Sequence, residues 1–316
     1  MIMKKLTKIT SIAFLAITMF SCSSDSEGEP TIVDIASKNP DFSILVSALD
    51  RAGLTSTLDG SGQFTVFAPT NAAFTSFLSA NGFANIDAIP VATLKNILLN
   101  HVIGSEIKSA AIPASTYVST LSPINATSAA PTVSMYVVKS GANVFINGGS
   151  ATTGVKVTTA DVDASNGVIH IVNAVIKIPT IVDHAVANPN FTTLVSLVSG
   201  AGLVPTLSGT AGSPFTVFAP TNAAFDALNV EIPGVLGILT PAQVSSVLTY
   251  HVVGGANVRS NAIPTTPITT LESGTFTIAG TTITDERMRQ TGIIIVDVQG
   301  SNGVVHAINK VLLPTF

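Results

Sequence analysis

The eleven residues Phe64–Phe74, FTVFAPTNAAF, recur letter for letter at positions 215 to 225. Their first four residues combine aromatic and β-branched side chains, which is typical of a short strand. Pro69 cannot donate a ladder hydrogen bond and therefore ends the strand, and Thr70 or Asn71 then offers a side-chain cap for a helix. The stretch predicts a strand-to-helix corner in each half of the chain. Asn71 and its counterpart Asn222 are therefore predicted to be structural residues of this corner.

The repetition extends on both sides of this corner. Ile32–Leu49 returns as Ile181–Val198, and Asn166–Pro179 returns as Asn302–Pro314, in the same order. Such self-similarity indicates two copies of one folding unit. We therefore expect a first domain at residues 31–179 and a second at 180–316, with hardly any linker between them. The second copy is shorter, which predicts that it lacks a hairpin-sized piece that follows Ser122 in the first.

Each copy starts with a pattern for an amphipathic helix. Asn39 and Pro40 provide a cap and a first turn, apolar residues follow at i, i+3, i+4 and i+7 from Phe42, and Gly53 ends the run. The same spacing begins at Phe191. A second helical pattern in each copy has a histidine on its apolar stripe. These histidines are His101 and His251.

The later part of each copy has the pattern of strands. The runs in the first copy cover residues 134–139, 143–147 and 155–162, and those in the second cover 275–280, 281–285 and 293–298. An Asn-Gly pair lies between two apolar runs at 166–167 and again at 302–303. This pair is a strong local signal for a β-hairpin.

The order of these motifs resembles the fasciclin domain. The motifs are FTVFAPTNAAF, then Tyr250-His251, then NGVVHAINKVLLP near the C-terminus. The resemblance covers nearly everything after residue 30 in both copies. It implies an α+β fold with two tandem fasciclin-like domains, each a compact β-sandwich with a helical layer. The first copy departs from the pattern, because Asn100-His101 stands where the family has Tyr-His.

The resemblance also implies candidate partner-binding residues. In animal fasciclin domains an Asp-Ile pair and the Tyr-His pair are linked to integrin binding. By motif position these become the pairs Asp161-Val162, Asp297-Val298 and Tyr250-His251. The alternative interpretation, which we favour, is a strand residue preceded by an aspartate that closes a turn through its own side chain.

The histidines and the missing motifs argue against catalysis. His101 and His251 lie on the apolar stripe of a predicted helix, and apolar residues flank His170 and His306, as expected for core histidines held by hydrogen bonds. Zinc would need a third protein ligand, and no cysteine follows Cys22. The sequence contains no G-x-S-x-G, H-E-x-x-H or Walker A motif. We expect no metal, no cofactor and no enzymatic activity.

The N-terminal segment has the pattern of a bacterial secretory signal. Three lysines precede an apolar run, Ile9–Phe20, which is too short to span a bilayer. Ser21-Cys22 resembles a lipobox, which implies a signal peptide at residues 1–21 and a lipid on Cys22. Residues 22–30 are polar and acidic and predict a tether. We expect an exported lipoprotein at the outer membrane or cell surface.

Composition narrows the class of partner. Charged residues make up 10% of the chain and the net charge is −4. The chain therefore has no run of Lys and Arg residues of the kind that binds the phosphates of nucleic acid. We expect adhesion or partner binding through the tandem domains, with a protein, cell-surface or matrix ligand. The alternative is a glycan-binding, substrate-capture lipoprotein of an outer-membrane uptake system. A chain with no tryptophan and three tyrosines offers few stacking platforms for sugars. The sequence makes no prediction of the oligomeric state.

Overall fold

The computed structural model describes residues 29–125, 130–148 and 154–315. The signal segment and Cys22 lie outside these residues. The helices of the first half are α1 Ile32–Lys38, α2 Ser43–Ala52, α3 Thr55–Leu58, α4 Asn71–Ala80 and α5 Val91–Leu99. Its strands are β1 Phe64–Pro69, β2 Val102–Ile103, β3 Ser115–Pro123, β4 Thr132–Ser140, β5 Asn143–Ile146, β6 Val155–Ala164 and β7 Gly167–Val172.

The second half repeats this order. Its helices are α6 Ile181–Ala187, α7 Thr192–Gly200, α8 Val204–Ser208, α9 Asn222–Glu231, α10 Val235–Ile238 and α11 Pro241–Tyr250. Its strands are β8 Phe215–Pro220, β9 Val252–Val253, β10 Ile268–Thr269, β11 Thr275–Ala279, β12 Thr282–Thr284, β13 Gln290–Gly300 and β14 Gly303–Ile308.

Within the described residues, the strands of each half form one seven-stranded mixed sheet. The strand order is β2-β1-β7-β6-β5-β4-β3 in the first half and β9-β8-β14-β13-β12-β11-β10 in the second. The corner strand lies near one edge and pairs in parallel with the last strand, from Phe64 opposite Gly167 to Pro69 opposite Val172. The other pairings of the described strands are antiparallel. Equivalent strands of the second half have equivalent partners.

Two apolar clusters fill each domain. In the first domain one cluster lies between the helices and the sheet and includes Leu45, Leu94 and Ile169. The other lies between the two halves of the curved sheet and includes Phe67 and Met135. The second domain has the same two layers. The expected α+β class, with a β-sandwich and a helical layer, is confirmed.

In the repeated corner, the threonine and the asparagine have different hydrogen-bonding roles. Thr70 Oγ1 accepts a hydrogen bond from Ala73 N at 3.3 Å and so caps α4. Asn71 instead reaches the start of α2 and the turn before it, where its Oδ1 accepts from Ile44 N at 2.9 Å and its Nδ2 donates to Pro40 O at 2.9 Å. The corner therefore fixes the position of α2 as well as the start of α4. This explains why the Thr-Asn sequence is present in both copies of the turn.

The Asn-Gly hairpin also has a tertiary role. Asn166 Oδ1 accepts from Ile32 N at 3.0 Å and its Nδ2 donates to Leu58 O at 2.7 Å, so one side chain holds the starts and ends of neighbouring helices. Gly167 has a φ of 141°, and a Cβ there would lie 2.0 Å from Phe64 O. Asn302 and Gly303 repeat these contacts in the second domain.

One feature, present in both domains, differs from the sequence-based expectation. The helix before the first histidine ends at Leu99, and α11 ends at Tyr250. His101 and His251 therefore follow their helices and do not lie on the helical stripe. The reason is that each histidine ring bonds back to the last turn, as described below, and the chain then enters a short strand.

The extra length of the first copy lies mainly in the β3–β4 hairpin. Strands β3 and β4 have nine residues each, whereas β10 has two and β11 has five. This hairpin contacts the second domain. The Tyr117 ring lies 5.7 Å from the ring of His184 and its hydroxyl accepts from Asn188 at 3.2 Å, while Ser134 Oγ accepts from Gln299 N at 2.9 Å.

Candidate functional site

One buried histidine in each domain, His101 in the first and His251 in the second, joins the end of a helix to the C-terminal part of the domain. His251 Nδ1 donates to Val247 O at 2.7 Å, and its Nε2 accepts from Leu312 N at 2.9 Å. His101 makes the same two bonds, to Ile97 O and from Ile176 N. Both rings are buried, and burial lowers the pKa of each to about 4. With both ring nitrogens engaged, neither histidine is free to bind a metal or to transfer a proton.

The second pair of histidines holds a bulge that contains the motif aspartate. His170 Nδ1 accepts from Asp161 N at 3.1 Å, and its Nε2 donates to Ile107 O at 2.9 Å. His306 makes the equivalent bonds with Asp297 and Val258. Both aspartates have a φ of 59° at a register shift in the ladder. The left-handed backbone turns the carboxylate away from the sheet.

Each of these carboxylates anchors the loop that crosses the bulge. Asp297 Oδ1 accepts from Ser260 N at 2.8 Å and Oδ2 from Ser260 Oγ at 2.6 Å. Asp161 accepts from the backbone and hydroxyl of Ser109 in the same way. Partial burial opposes the charge, but these hydrogen bonds outweigh it and the pKa of both carboxyls is lowered. The geometry fits an aspartate that closes a turn.

The remaining motif residues lie deeper. Val298 and Tyr250 are buried, and Val162 is half-buried. The Tyr250 hydroxyl donates to Thr275 O at 2.7 Å and accepts from Glu286 N at 3.1 Å, and burial raises the pKa of this phenol. A partner docking on this conformation would not reach the Tyr250 or His251 side chains. The side chains of the two motif aspartates are partly exposed, Asp161 at 35% and Asp297 at 19%.

The second domain exposes apolar side chains next to its motif aspartate. Ile294 is 53% exposed and Val296 is 44% exposed, and both point outward from β13 just before Asp297. The corresponding residues in β6 of the first domain are Thr158 and Ala160. Arg259 lies at the same place, 3.5 Å from the Asp297 carboxylate. These four residues, Arg259, Ile294, Val296 and Asp297, are called the β13 surface below.

Sequence reasoning did not find this surface. The run IIIVDV at residues 293–298 predicts a strand, but its apolar residues are consecutive, so alternation does not show which of them face the solvent. The comparison of the two copies could have signalled it. At equivalent positions one copy has a polar and a small residue, and the other has two β-branched apolar residues.

Metal sites and membrane-spanning helices are both absent from the part of the chain that the structure describes. Within residues 29–125, 130–148 and 154–315, no group of three or more His, Cys, Asp or Glu side chains is placed to hold a metal ion. In the same ranges, none of the helices has the length and apolar character needed to cross a bilayer.

Known proteins are similar to this chain at both domains. The model of the fasciclin domain matches residues 40–179 and 189–314. This match covers more than half of the chain, so the chain belongs to the fasciclin domain family. Over 140 residues it is 39% identical to protein sll1483 of Synechocystis, a match that covers 43% of this chain and 73% of that protein.

Two other likenesses concern proteins at cell surfaces. The chain is 37% identical over 133 residues to the cell surface glycolipoprotein MPB83 of Mycobacterium bovis, covering 40% of this chain and 57% of that protein. Its fold is similar to the FAS1 domain pair of the insect cell adhesion molecule Fasciclin I, with a TM-score of 0.50 and 18% identity over 84% of this chain and 92% of that one. Fasciclin domains thus occur in an adhesion molecule and in a cell-surface protein.

Proposed function

We propose that this protein is a non-enzymatic, lipid-anchored surface protein that mediates adhesion, and that the β13 surface of its second domain contacts the partner. The lipid attachment is assigned to Cys22 on the lipobox-like sequence. The partner class is a protein on a neighbouring cell or in a matrix. The occurrence of fasciclin domains in a cell adhesion molecule and in a cell-surface glycolipoprotein supports this class.

The observation that carries the proposal is the pair of outward apolar side chains beside Asp297. Ile294 and Val296 leave about half of their surface in water, and the fold does not require them, because the equivalent first-domain strand has Thr158 and Ala160. Neighbouring apolar and charged side chains give a surface with an apolar centre and a polar rim, as is usual for protein interfaces. Arg259 and Asp297 supply that rim.

The size of the effect follows from the exposed area. Burying a whole Ile or Val side chain contributes about 1.5–3 kcal/mol, so two half-exposed side chains contribute about 2 kcal/mol to binding. That energy corresponds to roughly a 30-fold change in affinity. Tethering many copies to one membrane would raise the avidity without new contacts.

The test exchanges residues between the two copies. Beads coated with the two-domain protein are offered sister cells, host cells, matrix proteins and purified glycans. The variant with Ile294→Thr and Val296→Ala carries the residues of the first domain, so its fold is expected to be intact. We expect its capture of cells or matrix protein to fall by about one order of magnitude, which is less than the full 30-fold because Thr and Ala keep part of the apolar surface.

The matched control is Val230→Ala, which removes an exposed apolar side chain elsewhere on the same domain. It should bind like the parent protein. Unchanged capture by the double variant would refute the role of the β13 surface. Capture of glycans but of no protein or cell would refute the adhesive role and favour substrate capture.

The anchor is tested separately. With Cys22→Ala we expect the protein to move from the membrane fraction to the soluble fraction. A variant that stays in the membrane fraction would contradict lipid attachment at this cysteine, and it would leave the surface experiment unaffected.

A further inference from the structure

The helical layer of the second domain is open where that of the first domain is closed. In the first domain Val33, Ala36 and Leu49 are buried between α1 and α2. Their counterparts in α6 and α7, which are Val182, Ala185 and Val198, are only half-buried. The same positions of the same fold therefore form a sealed core in one copy and an apolar crevice in the other.

The crevice has a definite size. A cavity of about 170 Å³ lies between α6, α7, α8 and the sheet of the second domain. The equivalent space in the first domain has about 20 Å³. One contribution to the difference is the replacement of Leu49 by the shorter Val198.

A second contribution to the larger cavity is the loss of an arginine that joins two helical segments in the first domain. In the first domain the Arg51 guanidinium donates to Ile86 O at 3.1 Å, to Ile89 O at 2.8 Å and to Asp87 O at 2.8 Å, and this ties the end of α2 to the loop before α5. The equivalent residue of α7 is Gly200, which has no side chain to make these bonds. These three side-chain bonds therefore have no counterpart at Gly200.

The side chains that line the cavity favour an apolar ligand. The walls are built from aliphatic side chains such as Leu194, Leu207 and Leu248. His251 also faces the cavity, but both of its ring nitrogens are already bonded to the backbone. The polar Ser199 lies at the exposed rim. An ionised or strongly polar group would find no partner inside and would lose its hydration.

We propose that this crevice is a binding site for a small hydrocarbon group about the size of a single aromatic ring. An apolar cavity of about 150 Å³ in another protein stays dry and binds benzene, so the volume fits. A polar end of the ligand would leave the crevice at Ser199. The proposal is independent of the β13 surface and of adhesion.

The probe for the test is toluene, added to the two-domain protein while its methyl groups are followed by NMR. We expect saturable shifts of the Val182, Val195 and Val198 methyl signals. The methyl signals of Val33 and Leu49 in the sealed first domain should not change. The two domains thus serve as site and control within one molecule.

Variants that fill the crevice identify the site. Val198→Phe enters from α7 and Ala185→Leu enters from α6, so that one remains informative where the other fails to fold. Each should weaken toluene binding by about tenfold or more, because the added carbons occupy the ligand's volume. Val230→Phe adds a similar bulk at a site that is 81% exposed, and it should leave binding unchanged.

Three outcomes would overturn the proposal. The first is that the methyl signals show no saturable shift up to the solubility limit of toluene in water. The second is that the methyl signals of both domains shift equally. The third is that a folded crevice-filling variant binds toluene with unchanged affinity.

Discussion

Mild acid should destabilise this protein strongly, well above the pH at which its carboxylates titrate. Burial lowers the pKa of His101, His184 and His251 from 6.5 to about 4 in the folded state. The unfolded chain takes up protons at these histidines below pH 6.5, whereas the folded protein does not until about pH 4. The stability that the neutral histidines provide is therefore present above pH 6.5 and is lost as the pH falls towards 4.

The loss can be worked out for one pH step. For a histidine with these two pKa values, lowering the pH from 7 to 5 costs about 2 kcal/mol of unfolding free energy. Three independent histidines give about 6 kcal/mol, a large part of the stability of an ordinary domain. The pKa values of His170 and His306 are also lowered by burial, and they act in the same direction.

Urea unfolding at pH 7, 6 and 5 measures this effect as a fall in the unfolding free energy. The carboxyl pKa values that shift in the folded state are lowered from 3.8 or 4.5, so their contribution is lost mostly below this window. His184→Ile provides a matched variant, since Ile35 is its counterpart in the first domain. The loss between pH 7 and 5 should decrease from about 6 to about 4 kcal/mol. An unfolding free energy that changes by less than about 1 kcal/mol over this range would refute the reasoning.

Three further predictions concern the repeated architecture. Asn222→Ala should destabilise the second domain by about 2–3 kcal/mol in urea unfolding, because it removes bonds to Thr193 N and Pro189 O. Gly303→Ala should prevent that domain from folding, as judged by circular dichroism, since a Cβ would lie 2.2 Å from a backbone oxygen. Tyr117→Ala should split calorimetric unfolding into two transitions, since it removes the ring contact with His184 and the hydrogen bond from Asn188, which are two of the contacts between the domains.

The sequence predicted the elements whose signals are local. The corner at Phe64–Phe74, the helix that ends at Gly53 and the Asn166-Gly167 hairpin each depend on a few neighbouring residues, and each is present in the structure. Pairings between distant residues carry no such signal. The parallel pairing of β1 with β7 and the reach of Asn71 to α2 became visible only in three dimensions.

The candidate site shows the same limit. Motif position found Asp161 and Asp297, but it did not show that a left-handed backbone turns their carboxylates towards a loop. It also gave no indication that Tyr250 is buried, because burial depends on the β11 strand that packs over the ring. The role of the long β3–β4 hairpin as one contact between the domains was equally hidden, since its partners lie in the other copy.

The two copies act as controls for one another, and this bears on both proposals. At the position of Ile294 the first domain has a threonine, at Val198 it has a leucine, and at Gly200 it has an arginine. In each case the first domain shows that the fold accepts a residue that is more polar at the surface or better packed in the interior. Folding alone therefore does not account for the exposed strand or for the open crevice of the second domain. The requirement that retains them is better sought in what the second domain binds than in what holds it together.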